Sequence, residues 1–210
     1  MSSWVNRIWY QFIQRLVQVS GVGYFGLRSR GQERVPLTGP LIVVANHQSN
    51  WDPPLIGCIP ERRFAYLAKK TLFHFAPMRW FIKSLHAIPI DRDGMGIGGF
   101  KETLKRLKHD DAVLIFPEGQ RCWDGEICPL MPGFLGLVRR SKAVLQPVGI
   151  AGMHEAWARG TALPKPGRVF IEYGEVIPRD EIERLSDEEL LALVDRKIRE
   201  CFAVAKRLRG

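Results

Sequence analysis

Residues 41–53 read Leu41-Ile42-Val43-Val44-Ala45-Asn46-His47-Gln48-Ser49-Asn50-Trp51-Asp52-Pro53. The first five form an unbroken apolar run rich in β-branched side chains, the pattern of a buried strand. A polar turn follows. Pro53 then biases Asp52 away from helical dihedrals, so Asp52 is expected to precede or cap the next helix. Strand, turn and helix in that order make one unit of a layered α/β fold.

The rest of the chain repeats this unit. Apolar runs recur at Phe64-Ala65-Tyr66-Leu67, Ala87-Ile88-Pro89-Ile90, Ala112-Val113-Leu114-Ile115-Phe116, residues 144–150 and residues 168–173. Pro89 marks the third as an edge or a strand end, because proline donates no ladder hydrogen bond. Helical spacing of apolar residues lies between the runs, over roughly 54–59, 71–85, 97–108 and 132–141. The last helix opens at a capping box, Ser186-x-x-Glu189, and runs through Leu190, Leu193, Val194, Ile198, Cys201 and Phe202. Its acidic start and basic end complement the helix dipole. The expected fold is α/β: a largely parallel or mixed sheet of about six or seven strands flanked by helices, with an N-terminal amphipathic helical element. There is no internal repeat, and Pro164-Lys165-Pro166-Gly167 reads as a rigid loop rather than a boundary.

Residues 4–19 carry Trp4, Val5, Ile8, Trp9, Phe12, Ile13, Leu16, Val17 and Val19 at helical spacing. Asn6, Arg7, Gln11, Gln14 and Gln18 fall on the opposite face. Arg7 and Arg15 interrupt the run, so it is not a spanning helix. It also lacks the small-residue cleavage site of a removable signal. Two early tryptophans suit an interfacial position. Core packing is the competing reading of the same pattern. Residues 1–28 are therefore expected to form a membrane-associating segment, with contact through Trp4, Ile8, Trp9 and Phe12, and residues 29–210 the α/β domain.

The 210 residues carry 31 Lys+Arg and 22 Asp+Glu, a formal net charge of +9, with 46% hydrophobic content. That composition excludes a disordered chain and is long enough for a full core without staples. The positive charge fits an anionic partner: a membrane surface, a phosphorylated substrate or nucleic acid. No helix-turn-helix, RNP or zinc-finger signature supports the last, so no nucleic-acid partner is expected. Cys58, Cys122, Cys128 and Cys201 show no C-x-x-C spacing and read as reduced thiols in a cytosolic setting. The histidines are scattered, and no metal site is expected.

Three islands follow strands, where open α/β sheets bind ligands. In the first, His47 and Asp52 lie five residues apart across a turn that can fold one onto the other. A carboxylate on one imidazole nitrogen fixes the tautomer and supports the cation that forms at the other, which makes a general base. No serine or cysteine is placed as a nucleophile, so the nucleophile is a substrate hydroxyl or water. The second island is Phe116-Pro117-Glu118-Gly119-Gln120-Arg121, where Pro117 and Gly119 force a turn that would turn amides outward. Arg121 can hold a phosphate bidentately, and Glu118 can position Arg121 or accept from a substrate hydroxyl. The third is Ile90-Asp91-Arg92-Asp93. With Lys69 and Lys70 after the second strand, these ends would set His47, Lys69, Arg92 and Arg121 along one edge. Singly, each motif also reads as ordinary surface charge, and a basic non-catalytic binding protein is the alternative to an enzyme.

Taken together, Asn46-His47-x4-Asp52, Ile90-Asp91-Arg92, Phe116-Pro117-Glu118-Gly119-x-Arg121 and Gln146-Pro147-Val148-Gly149 resemble the glycerolipid acyltransferase family, in particular the 1-acyl-glycerol-3-phosphate acyltransferases. The resemblance runs from about residue 25 to 177. It implies an active site on one sheet edge and acylation of the free hydroxyl of lysophosphatidic acid to phosphatidic acid. His47 would be the base and Asp52 its orienting group. Glu118, Gly119, Arg121, Arg92 and Lys69 would bind the acceptor, and Pro147 would shape the pocket. The donor would be acyl-coenzyme A or acyl carrier protein, with no further cofactor. The enzyme would sit peripherally or monotopically on the cytoplasmic face of an anionic membrane. Gln120 stands where the family often has threonine, which leaves other lysolipid or hydroxyl acceptors open.

Overall fold

Among the described residues there are seven strands: β1 (Arg28–Arg30), β2 (Leu41–Ala45), β3 (Phe64–Lys69), β4 (Ile88–Ile90), β5 (Ala112–Ile115), β6 (Val144–Ala151) and β7 (Phe170–Tyr173). The helices are α1 (Ser3–Phe25), α2 (Asp52–Cys58), α3 (Gly96–Lys108), α4 (Leu135–Arg140), α5 (Met153–Trp157), α6 (Arg179–Arg184) and α7 (Asp187–Arg209). This computed structural model describes residues 3–70, 79, 88–90 and 96–210, without the side chains of 3–7, 69, 89 and 90. The helical pattern expected over 71–85, residue 79 apart, and Arg92 lie outside the described residues.

The strands form one sheet in the order β1-β7-β6-β2-β5-β3-β4. β6, β2, β5, β3 and β4 run parallel, whereas β7 is antiparallel to β6. The sheet is thus mixed, and β4 with Pro89 forms its edge as expected. The short β1, paired with β7, had no apolar run of its own to announce it.

Side-chain alternation along the central strands divides the core in two. Ile42, Val44, Val113, Ile115 and Leu145 face Leu107 of α3, Leu137 and Val138 of α4, and Val194, Ile198 and Phe202 of α7. Leu41, Val43, Ala45, Leu114, Val148 and Ile150 face Ile13 and Val17 of α1, Leu55 and Ile56 of α2, and Met153 and Ala156 of α5. All five residues of β2 are fully buried, each larger one worth about 1.5–3 kcal/mol. Gly149 lets α7 lie directly on β6, since a Cβ there would stand 2.2 Å from the Phe202 nitrogen. The capping box forms as read: Ser186 Oγ accepts the Glu189 amide, and the Glu189 carboxylate accepts the Ser186 amide.

Helix α1 corrects the expected division into one apolar and one polar face. Ile13, Val17 and Phe25 join the core, while Ile8, Phe12, Leu16, Val19 and Val22 stand exposed. Gln14 and Gln18 turn inward, donating to the Cys58 carbonyl at the C-terminal end of α2, and Gln14 also to Pro60. The amides serve carbonyls that α2 leaves open, so these two glutamines face the protein, Gln11 and Arg15 stay exposed, and a second apolar stripe faces out. Trp9 is half-buried against the core. The Trp4 side chain lies outside the described residues.

Candidate active site

The parallel strands β2, β5, β3 and β4 are neighbours, so their C-terminal ends line one edge in that order. His47 follows β2, the Glu118–Arg121 turn follows β5, and Lys69 ends β3. Topology alone therefore brings together islands separated by up to 74 positions in the chain.

Asn46 anchors the β2 end. Its amide group donates to the Ile150 carbonyl at 2.9 Å and accepts the Ile150 amide at 2.8 Å, pinning the turn to β6. Beyond it the chain doubles back. His47 Nδ1 lies 2.8 Å from Asp52 Oδ2. The same oxygen accepts the amides of Gln48 at 2.5 Å and Ser49 at 2.7 Å. Asp52 is fully buried, whereas the His47 side chain is 17% exposed. Asp52 is the first residue of α2 rather than its cap, and Trp51 holds the cap position in helical dihedrals. Pro53 is tolerated there because the first helical turn needs no donor from it. Oδ2 thereby serves both the turn and the imidazole, while Oδ1 is buried without a hydrogen-bond partner among the described residues.

The His47 ring stacks on Phe116, with centroids 4.0 Å apart and planes 17° from parallel. Nδ1 is committed to the carboxylate, so Nε2 is the nitrogen left for proton transfer.

The turn after β5 departs from expectation in two respects. Gly119 donates its amide back to the Phe116 carbonyl at 3.0 Å, so that amide closes the turn instead of presenting to a ligand. Glu118 is 2% exposed, and its carboxylate serves the chain. Oε1 accepts the His47 amide at 2.8 Å and Oε2 the Cys128 amide at 2.8 Å, with Cys122 Sγ 3.0 Å from Oε2. Glu118 thus holds the backbone of His47. Burial raises the Glu118 carboxyl to about 7, against the pull of the Cys128 and His47 amides, with Asp52 adding to the rise and Arg199 opposing it.

Arg121 is half-buried and lies within electrostatic reach of Arg159 and Asp52. Burial first, and Arg159 second, lower its proton affinity, while Asp52 restores part of it. Arg159 lies over the Trp123 ring, 4.3 Å from its centroid. Arg159 escaped the sequence reading because it sits in a loop with no strand before it. Gln48 was missed too: its side chain donates to the Gly125 carbonyl at 2.6 Å and accepts the Met153 amide at 3.1 Å, tying three loops together. Pro147 lies inside β6 in register with Val44, a place in the sheet. A cleft of about 430 Å³ between the end of α1 and β7 is lined by none of these residues.

Cys122 and Cys128 are bonded to each other, with Cα atoms 5.9 Å apart, where four reduced thiols had been expected. The pairing is set by the tight return of the chain through Gly125, which the spacing of six did not disclose. Cys58 and Cys201 are free and buried, and burial pushes both thiols up to about 12. Among the described residues, Glu118, Cys122 and Cys128 are the group close enough to share a metal ion, with donor atoms within 4.8 Å of one another. A bond between the sulfurs removes them from that role.

An imidazole held by a carboxylate, with Arg121 within electrostatic reach of that carboxylate, can take a proton from a hydroxyl on an anionic molecule. The chain is similar to known acyltransferases. The family model described as Acyltransferase matches residues 26–151. A 1-acyl-sn-glycerol-3-phosphate acyltransferase of Bacillus subtilis (strain 168) is 30% identical, over 80% of this chain and 81% of its own. The protein of that name from Limnanthes alba is 28% identical over 70% of this chain, which spans 54% of its length. The crystal structure of the 1-acyl-sn-glycerophosphate acyltransferase from Thermotoga maritima shares the fold, with a TM-score of 0.82 and 24% identity over 98% of this chain and 81% of that one.

Proposed function

The chain belongs to the Acyltransferase family and is an O-acyltransferase, and on that premise we propose that it acylates the free hydroxyl of lysophosphatidic acid to give phosphatidic acid. The observation that carries the reading is His47 Nδ1 held 2.8 Å from Asp52 Oδ2 at the carboxyl edge of β2. In the proposed step Nε2 of His47 takes the hydroxyl proton as the oxygen attacks the thioester carbonyl. The C–O bond forms, the C–S bond breaks, and the thiolate leaves with the proton returned from His47. A thiolate is a good leaving group, so base assistance and proximity suffice, the first worth about 10²- to 10⁴-fold. No metal or prosthetic group enters this step.

Arg121 and Arg159 are proposed to bind the acceptor phosphate, with Lys69 and Arg92 joining from the neighbouring strand ends. Guanidinium groups match a phosphate's paired oxygens. The donor is proposed to be a thioester of coenzyme A or of acyl carrier protein. No helix among the described residues is long and apolar enough to cross a membrane. Instead the outer stripe of α1, Ile8, Phe12, Leu16, Val19 and Val22, is proposed to lie in the surface of an anionic membrane, where the lipid acceptor is found. Purified protein given acyl-coenzyme A and a panel of lysolipids should release free thiol fastest with lysophosphatidic acid and form phosphatidic acid. Free fatty acid without acylated lipid would instead mean that water is the acceptor.

A further inference from the structure

We propose that Cys122 and Cys128 form a reversible dithiol–disulfide pair whose state sets the order of the loop that clasps the His47 turn. The clasp is built from residues between and at the two cysteines. The Gly125 carbonyl receives the Gln48 side chain at 2.6 Å, and the Cys128 amide donates to Glu118, which in turn holds the His47 amide. Gly125 has φ +76 and lies against His154 so closely that a Cβ would stand 2.6 Å from the ring. A left-handed glycine in close contact fixes this stretch of the loop tightly, and a cross-link at its two ends restricts the alternatives open to it.

The two sulfurs differ in access. Cys122 is 2% exposed, whereas Cys128 is half-buried. Cys128 is thus the sulfur that a solvent thiol or disulfide meets, and Cys122 the one that resolves. The oxidant is a low-molecular-weight disulfide, RSSR. The Cys128 thiolate attacks one of its sulfurs, forming a mixed disulfide and releasing RS⁻, which takes up the proton Cys128 gave. The Cys122 thiolate then attacks the Cys128 sulfur and releases the second RSH. Two protein thiols lose two electrons, and RSSR gains them. Excess RSH reverses both steps.

The two states also differ at Glu118. With the sulfurs apart, the Cys122 thiol can donate across the 3.0 Å to Oε2. In the bonded state that donor is gone, and the carboxylate is left to the His47 and Cys128 amides. Reduction therefore loosens the clasp from the loop side and draws Glu118 toward Cys122. Its effect on acyl transfer rests on the function proposed above; its effect on the loop does not.

The full chain is equilibrated in buffers of reduced and oxidised glutathione at graded ratios. Thiols are counted by the mass added on labelling after denaturation, and amide exchange is followed at 47–49 and 122–128. Four labelled thiols should fall to two, since Cys58 and Cys201 remain free, and both segments should exchange faster in the dithiol form. Thioester consumption should fall several-fold in that form. In Cys128→Ser, the ratio of oxidised to reduced behaviour should become one in every readout. Four thiols persisting in the most oxidising buffer would overturn the proposal. So would equal amide exchange in the two states, or one zinc ion bound per chain in place of oxidation. Absence of acyl transfer in both states defeats the functional reading, while amide exchange still decides the linkage.

Discussion

One oxygen of Asp52 serves three donors: Nδ1 of His47 at 2.8 Å and the amides of Gln48 and Ser49. The turn that carries His47 is therefore organised by the same carboxylate that holds its ring. His47→Ala should reduce acyl transfer by about 10²- to 10⁴-fold with the fold retained, the melting temperature falling modestly because Asp52 loses one of its three donors while the Gln48 and Ser49 amides still hold it. Asp52→Asn should lose activity as well and also melt earlier: its carbonyl oxygen can take the place of Oδ2, but its amide nitrogen is then buried where Oδ1 has no partner, at about 1–3 kcal/mol, and the charge that supports a protonated imidazole is gone. Near-normal thiol release by His47→Ala would remove the histidine from the mechanism.

The two guanidinium groups at the site are close enough to disturb each other, and a phosphate between them would relieve that repulsion. Arg121→Ala and Arg159→Ala should each raise KM for lysophosphatidic acid by roughly 10- to 100-fold, the loss of one charge-assisted hydrogen bond. The KM for acyl donor should hold. Steady-state kinetics with either substrate varied makes the distinction, and a change confined to the donor would move these arginines to the other substrate.

How far the residues alone led depended on distance along the chain. His47 and Asp52 are five apart, and Pro53 restricts the turn between them, so their contact was legible. So were the apolar runs of β2, β5 and β6 as buried strands, although unbroken runs did not announce how their two faces divide the core. Glu118 was read as facing substrate, yet its partner is an amide 71 positions away; that contact follows from β2 and β5 being neighbours, which no local pattern states. The Cys122–Cys128 bond is local, six positions apart, but depends on the loop returning through Gly125, which the spacing did not disclose. The outward stripe of α1 was half legible: apolar spacing was plain, but which stripe meets the core depended on where α2 leaves its carbonyls for Gln14 and Gln18.

Those two stripes make opposite predictions. Replacing Phe12 and Leu16 by asparagine should leave the melting temperature nearly unchanged, because both are exposed, at 56% and 54%. Affinity for vesicles containing anionic lipid should fall on the order of 100-fold or more, from about 1.5–3 kcal/mol per side chain. Ile13→Ala should do the reverse, costing about 2–5 kcal/mol of stability while vesicle binding of the folded protein persists. Co-sedimentation and thermal melts on the same samples test both. Equal vesicle binding by the Phe12, Leu16 variant would take α1 out of the membrane contact.

Glu118 supplies a pH signature. Its carboxyl ionises near 7 in the folded chain, against an ordinary 4.5, chiefly because burial disfavours the charge. Between those values the folded state holds a proton that the unfolded state has lost, so this group's contribution falls as pH rises through the window and is level above it. The loss is on the order of 1–3 kcal/mol. Glu118→Gln cannot titrate there, and its amide nitrogen faces one of the two backbone amides without an acceptor. The melting temperature of the native chain minus that of Glu118→Gln should therefore be largest near pH 5 and shrink toward a plateau by about pH 8. Melting curves that stay parallel across that range would show that Glu118 is ionised throughout, and that the amides of His47 and Cys128 outweigh the cost of burying its charge.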